Sequence, residues 1–312
     1  MELYRSRDFS AFFQDTFAFI KRHGKHFFKH FFIVNGILIL VLMVLGYFFM
    51  QLYTEVLFGG MFQNDPNSIE NYMNENGGLF ILLMILFLTV FLIFTVLMNA
   101  YPALYLKLYN VNETTDFGTK AIVDSYKKNL GKLFIFLLSS ILVSIPLMIV
   151  LGLLVFVLFI TIIGIMVLPL VIGAFSLFFI MAFMEYLEDE RGVWDCYGYS
   201  WKLMSSKFWA AVGSVGLFFL MSYLLQNIIT IIAYVFGMVQ FFVGIDNTAT
   251  NPQDFQGTMS VVMIAMFVAG FLLGAFLNNI VLLNQGIVFY SLKEDNENIN
   301  TKSIIDQIGS GE

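Results

Sequence analysis

The chain has 312 residues, of which 59% are hydrophobic and only 12% are charged, whereas about a quarter of the residues in an average soluble chain are charged. With a mean hydropathy of +0.82, the chain has too few polar residues to cover a water-soluble globule, and its composition also excludes disordered, collagen-like, coiled-coil and disulfide-rich secreted chains. The 16 Lys and Arg residues are outnumbered by 22 Asp and Glu residues, so we expect no nucleic-acid partner.

Long uncharged segments predict an all-α fold, a polytopic integral membrane helical bundle with six transmembrane helices. One crossing needs about 20 apolar residues, and the longest segment without a charged residue or a histidine, Leu133–Met184, has 52. It therefore predicts two helices, with a turn near Thr161–Gly164. Pro146 and Pro169 lie inside these two spans and predict kinks, because neighbouring groups in a bundle can satisfy the freed carbonyls. In chain order, the predicted spans are 31–56, 79–106, 133–159, 164–187, 208–240 and 258–291.

All 16 Lys and Arg residues lie on one side of this arrangement. Six precede the first span, five lie between the second and third, three lie between the fourth and fifth, and two follow the last, whereas loops 59–78 and 244–257 have none. The positive-inside rule then places both termini in the cytoplasm and predicts a multi-pass protein of the cytoplasmic (inner) membrane. The cytoplasmic side is neutral, and six acidic residues on or near the outer side account for the net charge of −6. The first 30 residues mix charged and aromatic side chains, so we expect an uncleaved anchor rather than a signal peptide.

An amphipathic, aromatic-rich segment precedes each pair of spans: Asp8–Phe28, Asp116–Phe134 and Trp194–Trp209. Helices with basic flanks and one aromatic face lie in the headgroup region of a membrane, and the expected interfacial anchors are Trp194, Trp201 and Trp209. The second and third segments align without gaps at an offset of 75 residues, which predicts three repeats of an interfacial helix plus two spans. The alternative is that any return to a membrane selects aromatic residues and lysines at this point. In order, the predicted segments are an interfacial helix at 1–30, spans at 31–106, an interfacial helix at 107–132, spans at 133–187, an interfacial helix at 188–207, spans at 208–291 and a cytoplasmic tail at 292–312.

The residue types within the spans lead us to expect no catalytic residue, no cofactor and no metal. No span has an Asp, Glu, Lys, Arg or His at mid-bilayer depth, where ion-coupled transporters carry such groups. His23, His26 and His30 recur at i, i+3 and i+7, and imidazoles with this spacing could bind a transition metal. Because Lys or Arg interleaves with them at four positions, a basic collar that faces anionic headgroups is the favoured interpretation.

Amides within the spans have two possible roles. They either lock neighbouring helices through hydrogen bonds, each worth about 0.6 kcal/mol, or line a polar cavity, and locking is the favoured interpretation. The two pairs that could do either are Gln226 with Asn227, and Asn278 with Asn279.

Gly270 and Gly274 form a GxxxG pattern, which is typical of close helix packing.

Short aromatic motifs resemble those of a bacterial membrane-protein family. They are Ser200, Trp201 and Leu203 followed by Lys207, Phe208 and Trp209; Phe9 followed by Asp15, Thr16 and Phe17; and the tail FYSLKEDNENINTKSIIDQIG. Together they are similar to uncharacterised polytopic proteins of the Bacteroidetes type, and to the membrane domain that accompanies some glycerophosphodiester phosphodiesterases. In the fused proteins the hydrolase is a separate soluble barrel, for which we expect no residues here. The resemblance therefore implies the fold and the membrane location, and no enzymatic activity.

The leading hypothesis is a non-catalytic integral membrane subunit or scaffold. It would present its interfacial helices and the tail from Ile299 to Glu312 to membrane-protein partners, and would contact membrane lipids. The alternative is a carrier or channel for a lipid or small solute, which would pass through a cavity between the repeats. An intramembrane enzyme is a third possibility, and it would need a bound metal or cofactor.

Overall fold

The computed structural model describes residues 1–63, 68–248 and 252–300, and within these ranges every regular element is a helix. In chain order the helices are α1 (Phe9–Gln63), α2 (Ser68–Asn112), α3 (Thr119–Phe159), α4 (Ile162–Leu187), α5 (Val193–Ser206), α6 (Phe208–Thr248) and α7 (Pro252–Glu297). Parts of the two predicted outer loops, residues 64–67 and 249–251, and the tail from residue 301 lie outside the described residues.

Six helical segments of the described chain are long and apolar enough to cross a membrane, as the hydropathy predicted. The protein is therefore an all-α, multi-pass membrane protein. The six segments are Phe9–Gln51, Asn74–Asn112, Thr119–Phe159, Val167–Leu187, Phe208–Phe236 and Ser260–Glu297.

Two of the three predicted interfacial helices are continuous with the spans that follow them. Helix α1 runs without a break through residue 30, and α3 runs without a break through residue 132. Gly24 and Gly131 are the weak points of these segments, but one glycine costs a helix only about 1 kcal/mol relative to alanine, which is too little to end it. The third segment is a separate helix, α5, because Lys207 leaves the helical region with φ −136° and ψ 50°. The three segments thus differ in structure, and the threefold repeat stays a prediction.

The long apolar segment between Leu133 and Met184 forms two helices, as predicted. Helix α3 ends at Phe159, and Thr161 caps α4 by accepting a hydrogen bond of 3.0 Å from the amide of Gly164. Such a cap satisfies one of the free amides in the first turn of a helix. A Cβ atom at Gly164 would lie 1.9 Å from the carbonyl oxygen of Leu158, so this turn requires glycine.

The chain divides into two compact units, which we call unit 1 (Met1–Val34, Met98–Ser222 and Leu277–Glu312) and unit 2 (Asn35–Leu97 and Tyr223–Phe276). Unit 1 has all 16 Lys and Arg residues and 16 of the 22 Asp and Glu residues, so it is neutral. Unit 2 has the remaining six acidic residues and no basic residue. The division between the units coincides with the charge separation that the sequence predicts.

The segments predicted to share one side of the membrane meet at one end of unit 1, which we call the polar end. Lys207 reaches the first residues of the chain, with its Nζ 3.2 Å from Ser6 Oγ, and it also pairs with Asp295 at the end of α7 at 2.7 Å. Lys132 Nζ, in α3, donates to the carbonyl of Leu187 at the end of α4 at 3.3 Å. These contacts agree with the predicted alternation of crossings, and the orientation in the membrane stays a prediction.

Unit 2 is held together by phenylalanine side chains. Phe49 of α1 stacks on Phe80 and Phe87 of α2 with ring centroids 5.7 and 6.1 Å apart, and Phe94 packs on Phe271 of α7 at 5.5 Å. Aromatic pairs in this distance range add about 0.5–1.5 kcal/mol to the burial of their area. Packing of this kind, without charge pairs, stabilises an apolar bundle in lipid.

Candidate functional site at the polar end of unit 1

Five charged side chains and one tyrosine form an ion-pair network at the polar end, from α4, the connection between α4 and α5, α5 itself and α7. Its members are Glu185, Glu190, Arg191, Tyr199, Lys293 and Glu297. Lys293 is at its centre, because its Nζ lies 3.0 Å from Glu185 Oε2 and 3.0 Å from Glu190 Oε2. The side chains of Lys293 and Glu185 are only 1% and 0% exposed. Buried charges persist in a protein only when they are paired, and here each has an opposite charge in contact.

Arg191 links the network to α5 and to the end of α7. Its guanidinium pairs with Glu185, lies 3.0 Å from Glu297 Oε1, and stacks over the ring of Tyr199 at 3.8 Å from the centroid. The Tyr199 hydroxyl donates to Glu297 Oε1 at 2.5 Å. Burial raises the pKa of Tyr199 above its ordinary value, which keeps the hydroxyl protonated as a donor. The arrangement immobilises these carboxylates rather than leaving one free as a base.

Basic side chains also cap the carboxyl end of α4. Lys107 and Lys132 both donate to the carbonyl of Leu187, in the last turn of that helix. Lys132 additionally pairs with Asp189 at 2.5 Å, and this hydrogen bond lowers the pKa of Asp189 below its ordinary value. Cations are favourable at a helix carboxyl end, where the dipole is negative and carbonyls lack partners. These two lysines therefore fix the point where α4 leaves the bundle.

A second polar cluster, which we call the amide cluster, ties α7 to three other helices. Asn284 Nδ2 donates to Thr16 Oγ1 of α1 at 3.0 Å and to Ser214 Oγ of α6 at 3.2 Å. Gln285 Nε2 donates to Ser176 Oγ of α4 at 2.9 Å. Asn284 and Gln285 are both buried, so these hydrogen bonds lock helices rather than line an open path. The sequence does not distinguish Asn284 and Gln285 from the other amides within the spans. Only the packing of the helices shows that these two amides bond neighbouring helices.

The four amides predicted to lock helices or line a cavity fall in different units. Gln226 and Asn227 belong to unit 2, where Gln226 is exposed and Asn227 Nδ2 donates to the carbonyl of Tyr223 in its own helix at 2.8 Å. Asn278 and Asn279 belong to unit 1, where Asn279 is fully buried. Asn227 therefore makes a local contact, and a common cavity for the four stays a prediction.

The histidines face inward, and the basic residues between them face outward. His26 Nε2 lies 3.0 Å from the carbonyl oxygen of Phe117, which can only accept, so this nitrogen has the proton. The hydroxyl of Tyr105 then donates to His26 Nδ1 at 2.8 Å, and His30 Nδ1 bonds Thr119 Oγ1 at 2.7 Å. His26 and His30 thus join α1 to α2 and to the start of α3, instead of belonging to a surface collar. The four interleaved Lys and Arg side chains are exposed, as a collar requires. Within the described ranges, no three His, Cys, Asp or Glu side chains are grouped to hold a metal.

The three tryptophans are exposed, and two of them border an apolar groove. Trp194 and Trp201 on α5 are both 59% exposed, and Trp209 at the start of α6 is 79% exposed. The groove lies between α3, α4, α5 and α6, has a volume of about 740 Å³, and is lined almost entirely by apolar atoms. Residues along it include Leu151, Leu170, Phe175, Gly198, Trp201 and Trp209. The exposure of the tryptophans agrees with a role as interfacial anchors, which stays a prediction.

Close helix packing in unit 1 uses other glycines than the predicted pair. A Cβ at Gly270 would meet no heavy atom of the described chain within 4 Å, and one at Gly274 would meet only Gln226 Oε1, at 3.9 Å. A Cβ at Gly173 of α4, in contrast, would lie 3.0 Å from the backbone nitrogen of Gly216 of α6. The two helices cross at these glycines because no side chain separates their backbones. The predicted packing role of Gly270 and Gly274, which belong to unit 2, stays a prediction.

Comparisons with protein-family models, with curated proteins and with solved structures found no match to this chain. The resemblance to Bacteroidetes-type membrane proteins and to the phosphodiesterase-associated membrane domain therefore stays a prediction.

Proposed function

We propose that the protein is a non-catalytic integral membrane subunit or scaffold of a complex in the cytoplasmic membrane, and that it presents α5 and the C-terminal tail to membrane-protein partners. The observation that carries the proposal is that the buried ion pair and the buried amides of the amide cluster are bonded within the chain. Glu185 and Lys293 pair with each other, and Asn284 and Gln285 bond hydroxyl groups on neighbouring helices.

The one cysteine supports the same proposal. Cys196 on α5 is fully buried, and burial raises the pKa of its thiol to about 11. A reactive cysteine has a lowered pKa and partial exposure, so this thiol is a packing group rather than a nucleophile. The outward face of α5 has instead Trp194, Trp201 and Lys202, which are exposed. A helix with a buried inner face and an exposed aromatic and basic outer face suits contact with a partner or with headgroups.

The location in the cytoplasmic membrane, with both termini inside, belongs to the proposal. Its support is the concentration of every basic residue in unit 1, since basic residues remain on the cytoplasmic side. Cysteine accessibility in whole cells tests it: a cysteine at Asn110 should react only after the membrane is opened.

Crosslinking from α5 tests the scaffold function. A photoreactive benzoylphenylalanine at Trp194 should give one or two defined protein adducts in native membranes, which mass spectrometry would map to the same partner in repeated experiments. The matched control is the same residue at Ile37, which is 75% exposed but lies in unit 2, and it should not give those adducts. Lipid adducts alone from Trp194, together with a solitary protein after extraction in several mild detergents, would overturn the proposal.

A second candidate function, a lipid carrier, is favoured by the apolar groove. Its volume of about 740 Å³ lies within the range of about 300–1,000 Å³ that is usual for ligand sites, and its lining fits an acyl chain. Gly198 lines the groove, and a side chain there would extend into open space. Gly198→Leu should lower the number of lipids retained in native mass spectrometry, whereas Gly131→Leu, at an open helical position outside the groove, should not. Equal lipid retention by both variants would remove the basis of this function.

A further inference from the structure

A cavity whose lining has more basic than acidic side chains lies at the polar end, apart from the ion-pair network. It is formed by the first residues of the chain and the first half of α1, and its volume is about 720 Å³. Arg5, Lys21 and Arg22 line it, together with Phe19 and His23. The size fits a small ligand, and the lining differs from that of the apolar groove in being charged.

The two acidic residues of the cavity are bonded elsewhere. Asp15 pairs with Arg7, whose Nε lies 2.7 Å from Asp15 Oδ2. The Glu2 carboxylate accepts a hydrogen bond from the amide nitrogen of Asn300. Arg7 neutralises Asp15, whereas Glu2 keeps its negative charge, so Arg5, Lys21 and Arg22 still give the side chains of the cavity a net positive charge.

Arg7 also holds the cavity wall in place. Its buried guanidinium donates to the backbone carbonyls of Leu3 at 2.7 Å, Arg5 at 2.9 Å and Glu2 at 2.7 Å. These bonds wrap the first residues of the chain around one fixed side chain. The position of Arg5 opposite α1 is therefore set before any ligand binds, which lowers the entropic cost of binding.

The basic side chains of the cavity are left without an opposite charge. Arg5, Lys21 and Arg22 form no ion pair with any residue in the described part of the chain. His23 adds a polar atom, because its Nε2 is buried without a hydrogen-bond partner among the described residues. Phe19, which is 1% exposed, closes the cavity below the ring of His23 at a centroid distance of 5.1 Å.

We propose that this cavity binds a phosphate-bearing anion, either the headgroup of an anionic phospholipid or a soluble phosphorylated molecule. Arginine forms paired hydrogen bonds with phosphate oxygens, and lysine adds a point charge. The site lies on the part of α1 where a cytoplasmic leaflet would present anionic headgroups. The inference goes beyond the scaffold function and does not depend on it.

Binding measurements on the full chain in neutral detergent and in nanodiscs test the proposal. The two probes are inorganic pyrophosphate, followed by calorimetry, and fluorescent phosphatidic acid in phosphatidylcholine nanodiscs. The test variant is Arg5→Gln/Lys21→Gln/Arg22→Gln. The matched control is Lys120→Gln/Lys127→Gln/Lys128→Gln, which removes the same charge from exposed positions outside the cavity and outside the basic collar of α1. The test variant should bind at least about tenfold more weakly and the control within about twofold, because charge-assisted bonds are lost only in the first.

A second variant tests the volume of the cavity independently of its charge. Ala18 is exposed and lines the cavity, so Ala18→Trp should fill it and weaken binding with no change in charge. Binding of pyrophosphate supports a soluble ligand, and binding of phosphatidic acid alone supports a lipid headgroup. Equal losses in the test and control triple variants, unchanged binding by Ala18→Trp, or no binding of either probe to the native chain would overturn the proposal.

Discussion

Replacement of Lys293 by methionine should strongly destabilise unit 1. Methionine keeps much of the length and apolar packing of the side chain but removes the ammonium group that lies 3.0 Å from Glu185 and from Glu190. Glu190 is 51% exposed, so water can replace the lost contact. Glu185 is fully buried and has no such replacement, so its carboxylate bears most of the cost.

The expected loss in the free energy of unfolding depends on the contact that Glu185 retains with Arg191. Removal of one partner from a buried ion pair costs about 3–5 kcal/mol. Arg191 still contacts Glu185 in the variant, and this places the loss near the lower end, at about 3 kcal/mol. Lys25→Met is the matched control, because Lys25 is exposed, and a change there should stay within about 0.5 kcal/mol.

Equilibrium unfolding in mixed micelles, followed by circular dichroism, measures these differences. The double variant Glu185→Gln/Lys293→Met should recover part of the loss, with a coupling energy of at least about 1 kcal/mol, because the uncompensated carboxylate is gone. A stability of Lys293→Met equal to that of the Lys25 control, or strict additivity of the two single changes, would refute the reasoning.

Three further changes test other parts of the structure. Because the pKa of the buried Cys196 thiol is raised to about 11, its maleimide labelling rate should keep rising well above pH 9. A cysteine at the exposed position Ser205 should instead reach half of its maximal rate near pH 8.5 and then level off. The same half-maximal pH for both cysteines would contradict this. Gly164→Ala should destabilise the α3–α4 turn by about 1–3 kcal/mol through overpacking, whereas Gly152→Ala, at an open position, should be neutral or stabilising in the same unfolding assay. Asn284→Leu should cost about 1 kcal/mol, the sum of two interhelical hydrogen bonds in lipid, and an unchanged stability would show that the amide cluster does not lock the helices.

The spans could be predicted because each one is a continuous apolar segment of the sequence, bounded by charged residues. The turn between α3 and α4 was located for the same reason, since one apolar segment of 52 residues exceeds a single crossing and Thr161 is a good cap. The sequence does not show that the interfacial segments before residues 31 and 133 continue as one helix into the spans, because amphipathic character describes a face, whereas a break needs a residue that leaves helical geometry. Lys207 is such a residue, and its conformation has no signal in a single sequence.

The ion-pair network could not be predicted from the sequence. Glu185 and Lys293 are separated by 108 positions, and each stands at the end of an apolar segment, where charged residues are ordinary. The spacing of His23, His26 and His30 predicts that they share one face of α1. It does not predict whether that face packs against other helices or is exposed. The contacts of His26 with Tyr105 and Phe117 depend on how α1 packs against its neighbours.

The charge division between the units has an electrical consequence. In the proposed orientation, the six acidic residues of unit 2 lie towards the outer face, and unit 2 has no basic residue. The cytoplasmic side of an energised cell membrane is electrically negative. Moving one elementary charge through 100 mV requires about 2.3 kcal/mol, so an inverted insertion would work against the membrane potential by about 14 kcal/mol for six charges. An energised membrane would thus hold the chain in one orientation, much as a field orients a dipole, and dissipation of the potential would remove that bias.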